Sequence, residues 1–179
     1  MSIYTKKGDR GKTSLFKRTG KKDTRVSKNS KIICAIGAVD ELNSFLGIVL
    51  AFSRSKQLTK DVTLIQKNLL TIGSMLAGSK LKLEDDETNN LEKSIDKFDR
   101  EIAPLKNFIM PQGTKTASLL QYSRTLTRRA EREVVSLSNN RHVKASILKY
   151  LNRLSDYLYT LSRWINLKEG GKEEIWNPR

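Results

Sequence analysis

Apolar residues recur along this chain at steps of three and four, the spacing that returns to one face of an α-helix, in five separate stretches. In the first, Ile32, Ile36, Val39, Leu46 and Val49 form the stripe, with Leu42 and Phe45 widening it. Val62, Ile65, Leu69, Ile72 and Leu76 predict a second helix. Leu91, Ile95, Phe98 and Ile102 predict a third, introduced by an acidic run, EDDE, that suits a helix N-terminus. Over 114–137 the stripe is Leu119, Ser123, Leu126, Ala130, Val134 and Leu137, while Arg124, Arg128 and Arg132 fall on the other face. Ile147, Leu151, Leu154, Leu158, Leu161 and Ile165 predict the last helix, and Asn152, Asp156, Tyr159 and Arg163 make a second, polar stripe along it.

What lies between and around these stretches reads as connection. Pro104 and Pro111 bracket a loop, since proline cannot continue a helix and restricts the residue before it. Phe108, Ile109 and Met110 are apolar for a loop and, on sequence alone, read as a plug for the bundle end in preference to a ligand contact. Residues 1–31 carry no periodic pattern and are rich in Gly, Lys, Thr and Ser, with at most a short strand over 3–5. The segment from Glu169 onward is Gly-rich and charged and is expected to fray. The expected fold is all-α, an antiparallel five-helix bundle (32–167) with an irregular basic N-terminal arm (1–31) and a short tail (168–179), forming one domain.

Composition narrows the function. The chain has 179 residues and a formal net charge of +15, which suits either a nucleic-acid binder or an enzyme for an anionic ligand. Lysine is spread through nearly every segment and the aromatics do not interleave with it as stacking platforms, which disfavours nucleic acid. No signal-like apolar region opens the chain, and no run approaches the ~18 uninterrupted apolar residues of a membrane span. A soluble, cytoplasmic protein is expected. Cys34 cannot form an internal disulfide alone and reads as a small core residue; with His142 the only histidine, no cluster of soft metal ligands is available. The two Glu-x-x-His motifs of a di-iron bundle are missing as well.

Two local patterns suggest chemistry. Guanidiniums at i, i+4 and i+8 repel unless something neutralises them, so the Arg124, Arg128 and Arg132 face is either a solvated basic surface or a cradle for a polyanion. Asp40, in an otherwise apolar helix, is either an exposed polar position or one half of a pair with a cation. The GDRGKTS run invites a phosphate-loop reading. That loop needs four residues between its glycines, and Gly8 and Gly11 enclose only two, although glycines with Lys, Thr and Ser still supply anion donors.

Four motifs in order, YTKKGDRGKTSLF, GAVDELNSFLG, RTLTRRAEREVV and YLNRLSDYLYTLSR, resemble the PduO-type ATP:cob(I)alamin adenosyltransferases. The resemblance implies a homotrimer with ATP sites between subunits, and transfer of the 5'-deoxyadenosyl group of ATP to cob(I)alamin, with Mg2+ accompanying the nucleotide. It assigns Thr5, Lys6, Lys7, Gly8, Thr13, Ser14 and Lys28 to the triphosphate cradle, and Arg128, Arg129, Glu131, Arg132 and Asn152 to the nucleotide. Arg124 is implied to pair with Asp40 across the subunit interface, and Phe108 to occupy the lower face of the corrin. A flavoprotein reductase and a cobalamin-dependent enzyme are the implied partners. The chain departs from the family pattern at Gln112, where Pro-Gly-Gly is usual, and at Ile32, Cys34 and Ile36. Two other classes compete: an ATP-binding regulatory bundle without transferase activity, and a basic helical nucleic-acid binder. The latter would bind oligonucleotides with steep salt dependence and no need of ATP.

Overall fold

The computed structural model describes Tyr4, residues 6–16 and residues 25–178. Five helices follow a two-stranded hairpin: β1 (Lys12–Ser14), β2 (Arg25–Ser27), α1 (Lys31–Phe52), α2 (Lys56–Leu76), α3 (Asp85–Asp99), α4 (Lys115–Ser138) and α5 (Ala145–Lys168). The expected all-α bundle is the observed one. Ile3 and Thr5, the ends of the expected short strand, lie outside the described residues, and the arm is more regular than its composition suggests. β1 and β2 pair antiparallel, with Thr13 opposite Val26 and Ser14 opposite Arg25.

Helix ends follow local chemistry. Ser55 and Thr114 cap α2 and α4 by accepting the N–H groups of Leu58 and Ala117. Asp85, Asp86 and Glu87 fill the first turn of α3, where the helix dipole favours negative charge.

α1 packs between α2 and α4, and α5 between α3 and α4. Leu42, Leu46, Val49, Leu120, Ala130, Leu151, Leu154, Leu158 and Leu161 are fully buried at the centre. α1 is long and apolar enough to cross a membrane by length and composition alone. Packing on two sides accounts for much of that character, since Ile32, Ala35, Ala38, Val39, Leu42, Leu46 and Val49 are all buried.

Between α2, α3 and α5 the core turns polar. Tyr157 donates to Asp61 at 3.0 Å, and Asn68 donates to Glu87 at 2.7 Å and to the Tyr150 hydroxyl at 3.2 Å. Burial raises both tyrosines above their ordinary ionisation range; at Tyr157 the Asp61 carboxylate adds to the effect.

Three expectations need correction. Cys34 is exposed, because it lies on the flank of the first turn of α1 rather than on the core stripe. Phe108 does not plug the bundle end, for 76% of it is exposed. The segment after α5 does not fray but docks. Met110 N–H donates to Glu174 O and Trp176 N–H to Phe108 O, both at 2.8 Å, forming an antiparallel bridge of Ile109 with Ile175.

Candidate active site

The arm is shaped by a tight turn. Lys6 has φ 57° and Gly11 φ 70°, a left-handed conformation that glycine enters without steric cost. Gly11 N–H donates to Gly8 O at 3.1 Å, and Lys28 N–H donates to Gly11 O at 2.8 Å, so the residue after β2 closes the turn. A Cβ on Gly8 would stand 3.3 Å from Lys28 Nζ, which shows how near that ammonium lies to the glycine backbone. Arg25, which no periodic pattern or motif singles out, donates to Lys7 O and to Lys12 O and so stitches the turn to the hairpin. Lys6, Lys7, Gly8, Thr13, Ser14 and Lys28 are thereby gathered on one small hairpin, while Thr5 lies outside the described residues. Ammonium, hydroxyl and backbone N–H donors on one scaffold suit the oxygens of a phosphate chain.

The arm rests on the bundle where α1 begins and α2 ends, with Phe16 N–H donating to Ala77 O at 3.1 Å. The C-terminal end of α4 is at this end too, because Lys31 donates to Asn140 at 2.8 Å.

On α4, Arg128 and Arg132 are exposed and Arg124 is half-buried. Arg124 Nε donates to Gln121 at 3.1 Å, and its guanidinium carbon sits 5.9 Å from the centre of the Tyr159 ring, a cation–π arrangement. Arg129 is turned toward α1, where it pairs with Glu41. Asn152 of α5 donates to Glu131 at 3.0 Å, so these two residues form one polar group beside the exposed arginines. Asp40 is exposed, and among the described residues it forms no ion pair within the chain.

The Phe108 loop is at the opposite end of α4. Helix α4 has 24 residues, or roughly 36 Å at ~1.5 Å per residue. The ring of Phe108 stands edge-on to that of Trp176, with centroids 6.2 Å apart. Together with Leu105, Lys106, Asn107 and Pro178 they line a hollow of ≈ 450 Å³. Trp176 could not be found from spacing, since no helical or strand period includes it.

The bundle thus carries donors suited to a polyanion on the hairpin and on α4, and a separate aromatic hollow at the other end of α4. Residues 3–165 match the family model for cobalamin adenosyltransferase. The chain is 41% identical over 178 residues to the corrinoid adenosyltransferase of Bacillus subtilis strain 168, covering 95% of this chain and 89% of that one. It is 39% identical to the human corrinoid adenosyltransferase MMAB, covering 97% and 72%. A variant PduO-type ATP:corrinoid adenosyltransferase from Lactobacillus reuteri, complexed with cobalamin and ATP, superposes with a TM-score of 0.92 at 33% identity, covering 99% of this chain and 100% of that chain. The chain belongs to the cobalamin adenosyltransferase family, and it is an ATP:corrinoid adenosyltransferase.

Proposed function

We propose that this chain works as a cytoplasmic homotrimer that transfers the 5'-deoxyadenosyl group of ATP to cob(I)alamin at sites between subunits, releasing triphosphate. The observation that carries the composite site is the placement of its parts. The arm rests on the α2 side of α1, the arginine row lies on α4 at the other side, and Phe108 sits at the far end of α4. An arm from one subunit facing α4 of the next would bring them together. Exposed Ile48, Phe52, Leu64 and Tyr122 supply apolar surface for such a contact.

The reacting nucleophile is the reduced cobalt of the substrate, so the protein need not supply a Ser, Cys or His. Its residues have two tasks. The first is to hold C5' of ATP in line with the metal and to stabilise negative charge growing on the leaving triphosphate. Lys28, the arm and the exposed Arg128 and Arg132 serve this, with Glu131 and Asn152 orienting the nucleoside portion. The arm's donor set suits phosphate oxygens rather than a bare cation, so Mg2+ belongs with the triphosphate, whose oxygens are the hard ligands it prefers. The second task falls to Phe108, an aromatic ring that can lie against the lower corrin face and keep an axial base away. Electrons reach the corrinoid from a flavoprotein reductase, and the product passes to a cobalamin-dependent enzyme.

The test is anaerobic incubation of the purified chain with ATP, Mg2+ and chemically reduced cobalamin, following the visible spectrum for the cobalt–carbon bond. Saturable, protein-dependent formation of photolabile adenosylcobalamin is expected. Absence of product despite ATP binding would favour a nucleotide-binding regulator instead.

A further inference from the structure

The last turns of α5 hold a buried charged group. Arg163 is 6% exposed, and its guanidinium bonds Glu173 through Nε at 2.6 Å and Nη2 at 3.1 Å. Nη2 also donates to Ala103 O at 2.8 Å, at the start of the loop that carries Phe108. A buried guanidinium demands a carboxylate, and here the carboxylate arrives from beyond the end of the helix. Two residues later the bridge of Ile175 with Ile109 begins, and Trp176 N–H bonds the carbonyl of Phe108 itself.

A second constraint acts at the other end of the loop. Gly171 N–H donates to Asn166 O at 2.8 Å, and Asn166 Oδ1 accepts from Thr114 N–H at 2.9 Å. A Cβ on Gly171 would stand 2.1 Å from Asn166 Oδ1. The segment after α5 is therefore held against the loop at its root by Asn166 and along its length by Arg163.

We propose that Glu173, clasped by Arg163, is a positioning residue for Phe108: the ion pair seats the post-helical segment, and the segment's backbone bridge sets where the Phe108 ring stands. This rests on the reading that Phe108 meets the corrin. Phe108 has few contacts of its own to fix it, being largely exposed. Its carbonyl and its ring are both met by Trp176, so its placement is delegated to a segment that the ion pair anchors.

The test uses the full chain with Trp164→Phe, so that Trp176 is the remaining tryptophan reporter. Glu173→Ala is compared with Glu173→Gln, which keeps an oxygen acceptor for Arg163. For Glu173→Ala the Trp176 emission is expected to shift to the red and become more accessible to acrylamide. Turnover starting from cob(II)alamin with reductant should fall tenfold or more, approaching that of Phe108→Ala, while KM for ATP stays within twofold. Turnover starting from cob(I)alamin should fall less, and Glu173→Gln should lie between. An equal loss from both oxidation states, a parallel rise in KM for ATP, or an unchanged Trp176 signal would each overturn the proposal. Parental turnover from cob(II)alamin by Phe108→Ala in the same assay would overturn the reading beneath it.

Discussion

Asn166 Oδ1 accepts the backbone N–H of Thr114 at 2.9 Å and stands where a side chain on Gly113 would have to go. Gly113 has φ 148°, and a Cβ there would come within 2.3 Å of that oxygen. Gly113→Ala should therefore lose about 1 to 3 kcal/mol, from a strained backbone and a displaced cap. Gln112 is exposed, and Gln112→Gly should change stability by less than about 1 kcal/mol. Denaturant unfolding of the two variants checks the contrast. The departure from Pro-Gly-Gly thus falls on the tolerant position of the pair.

Arg128 faces solvent from α4, and among the described residues no carboxylate pairs with it. A charged hydrogen-bond partner removed from the triphosphate costs about 1.5 to 3 kcal/mol, so Arg128→Ala should turn over on the order of ten- to a hundred-fold more slowly. The steady-state rate at saturating ATP is the measurement. A near-parental rate would remove Arg128 from the chemistry.

Asp40 is exposed in the single chain and Arg124 is half-buried against Tyr159. If they meet across the subunit interface, separating them leaves a charge unpaired there, at roughly 3 to 5 kcal/mol. Asp40→Arg and Arg124→Asp should each weaken assembly, and the double swap should restore it, as read by light scattering. Full trimer in both single variants would dissolve the pairing.

The polar layer of Tyr150 and Tyr157 makes stability sensitive to alkali. An unfolded tyrosine ionises near ~10, and burial pushes both of these higher. Above that pH the unfolded chain holds fewer protons than the folded one, so stability falls as pH rises, by up to about 1.4 kcal/mol per unit for each tyrosine. Below it the contribution is fully present. Urea midpoints from pH 8 to 11 should be level at first and then decline. Tyr157→Phe should flatten part of the decline, although it forfeits the bond to Asp61.

The helices were legible because their residues obey a short-range rule. The stretch 114–137, whose apolar stripe runs from Leu119 to Leu137, matches α4 to within one residue at each end, since burial of one face is what makes that stretch helical. Within α5 the polar stripe was visible, yet its meaning was not. Asn152 and Asp156 stay exposed while Arg163 sinks, and the difference depends on a carboxylate ten residues away, beyond two glycines. The same holds for Arg25, whose two carbonyl acceptors lie on the far side of a turn. Periodicity reports which face is buried; it carries no record of which distant segment covers that face. The arm residues and the α4 arginines are assigned to the nucleotide through motif resemblance alone, whereas Glu173 and Trp176 follow the last helix in a stretch whose composition resembles loose chain.

The Arg163–Glu173 pair has a temporal side. Synthesis runs from the amino end, so α5 is made before the carboxylate that neutralises it, and the five helices and the counter-ion of Arg163 belong to successive stretches of chain. The bundle and the bridge to the Phe108 loop are thus encoded in different stretches of the polypeptide. A chain cut after Lys168 would keep the five helices but lack Trp176 and Pro178, two of the residues that line the aromatic hollow.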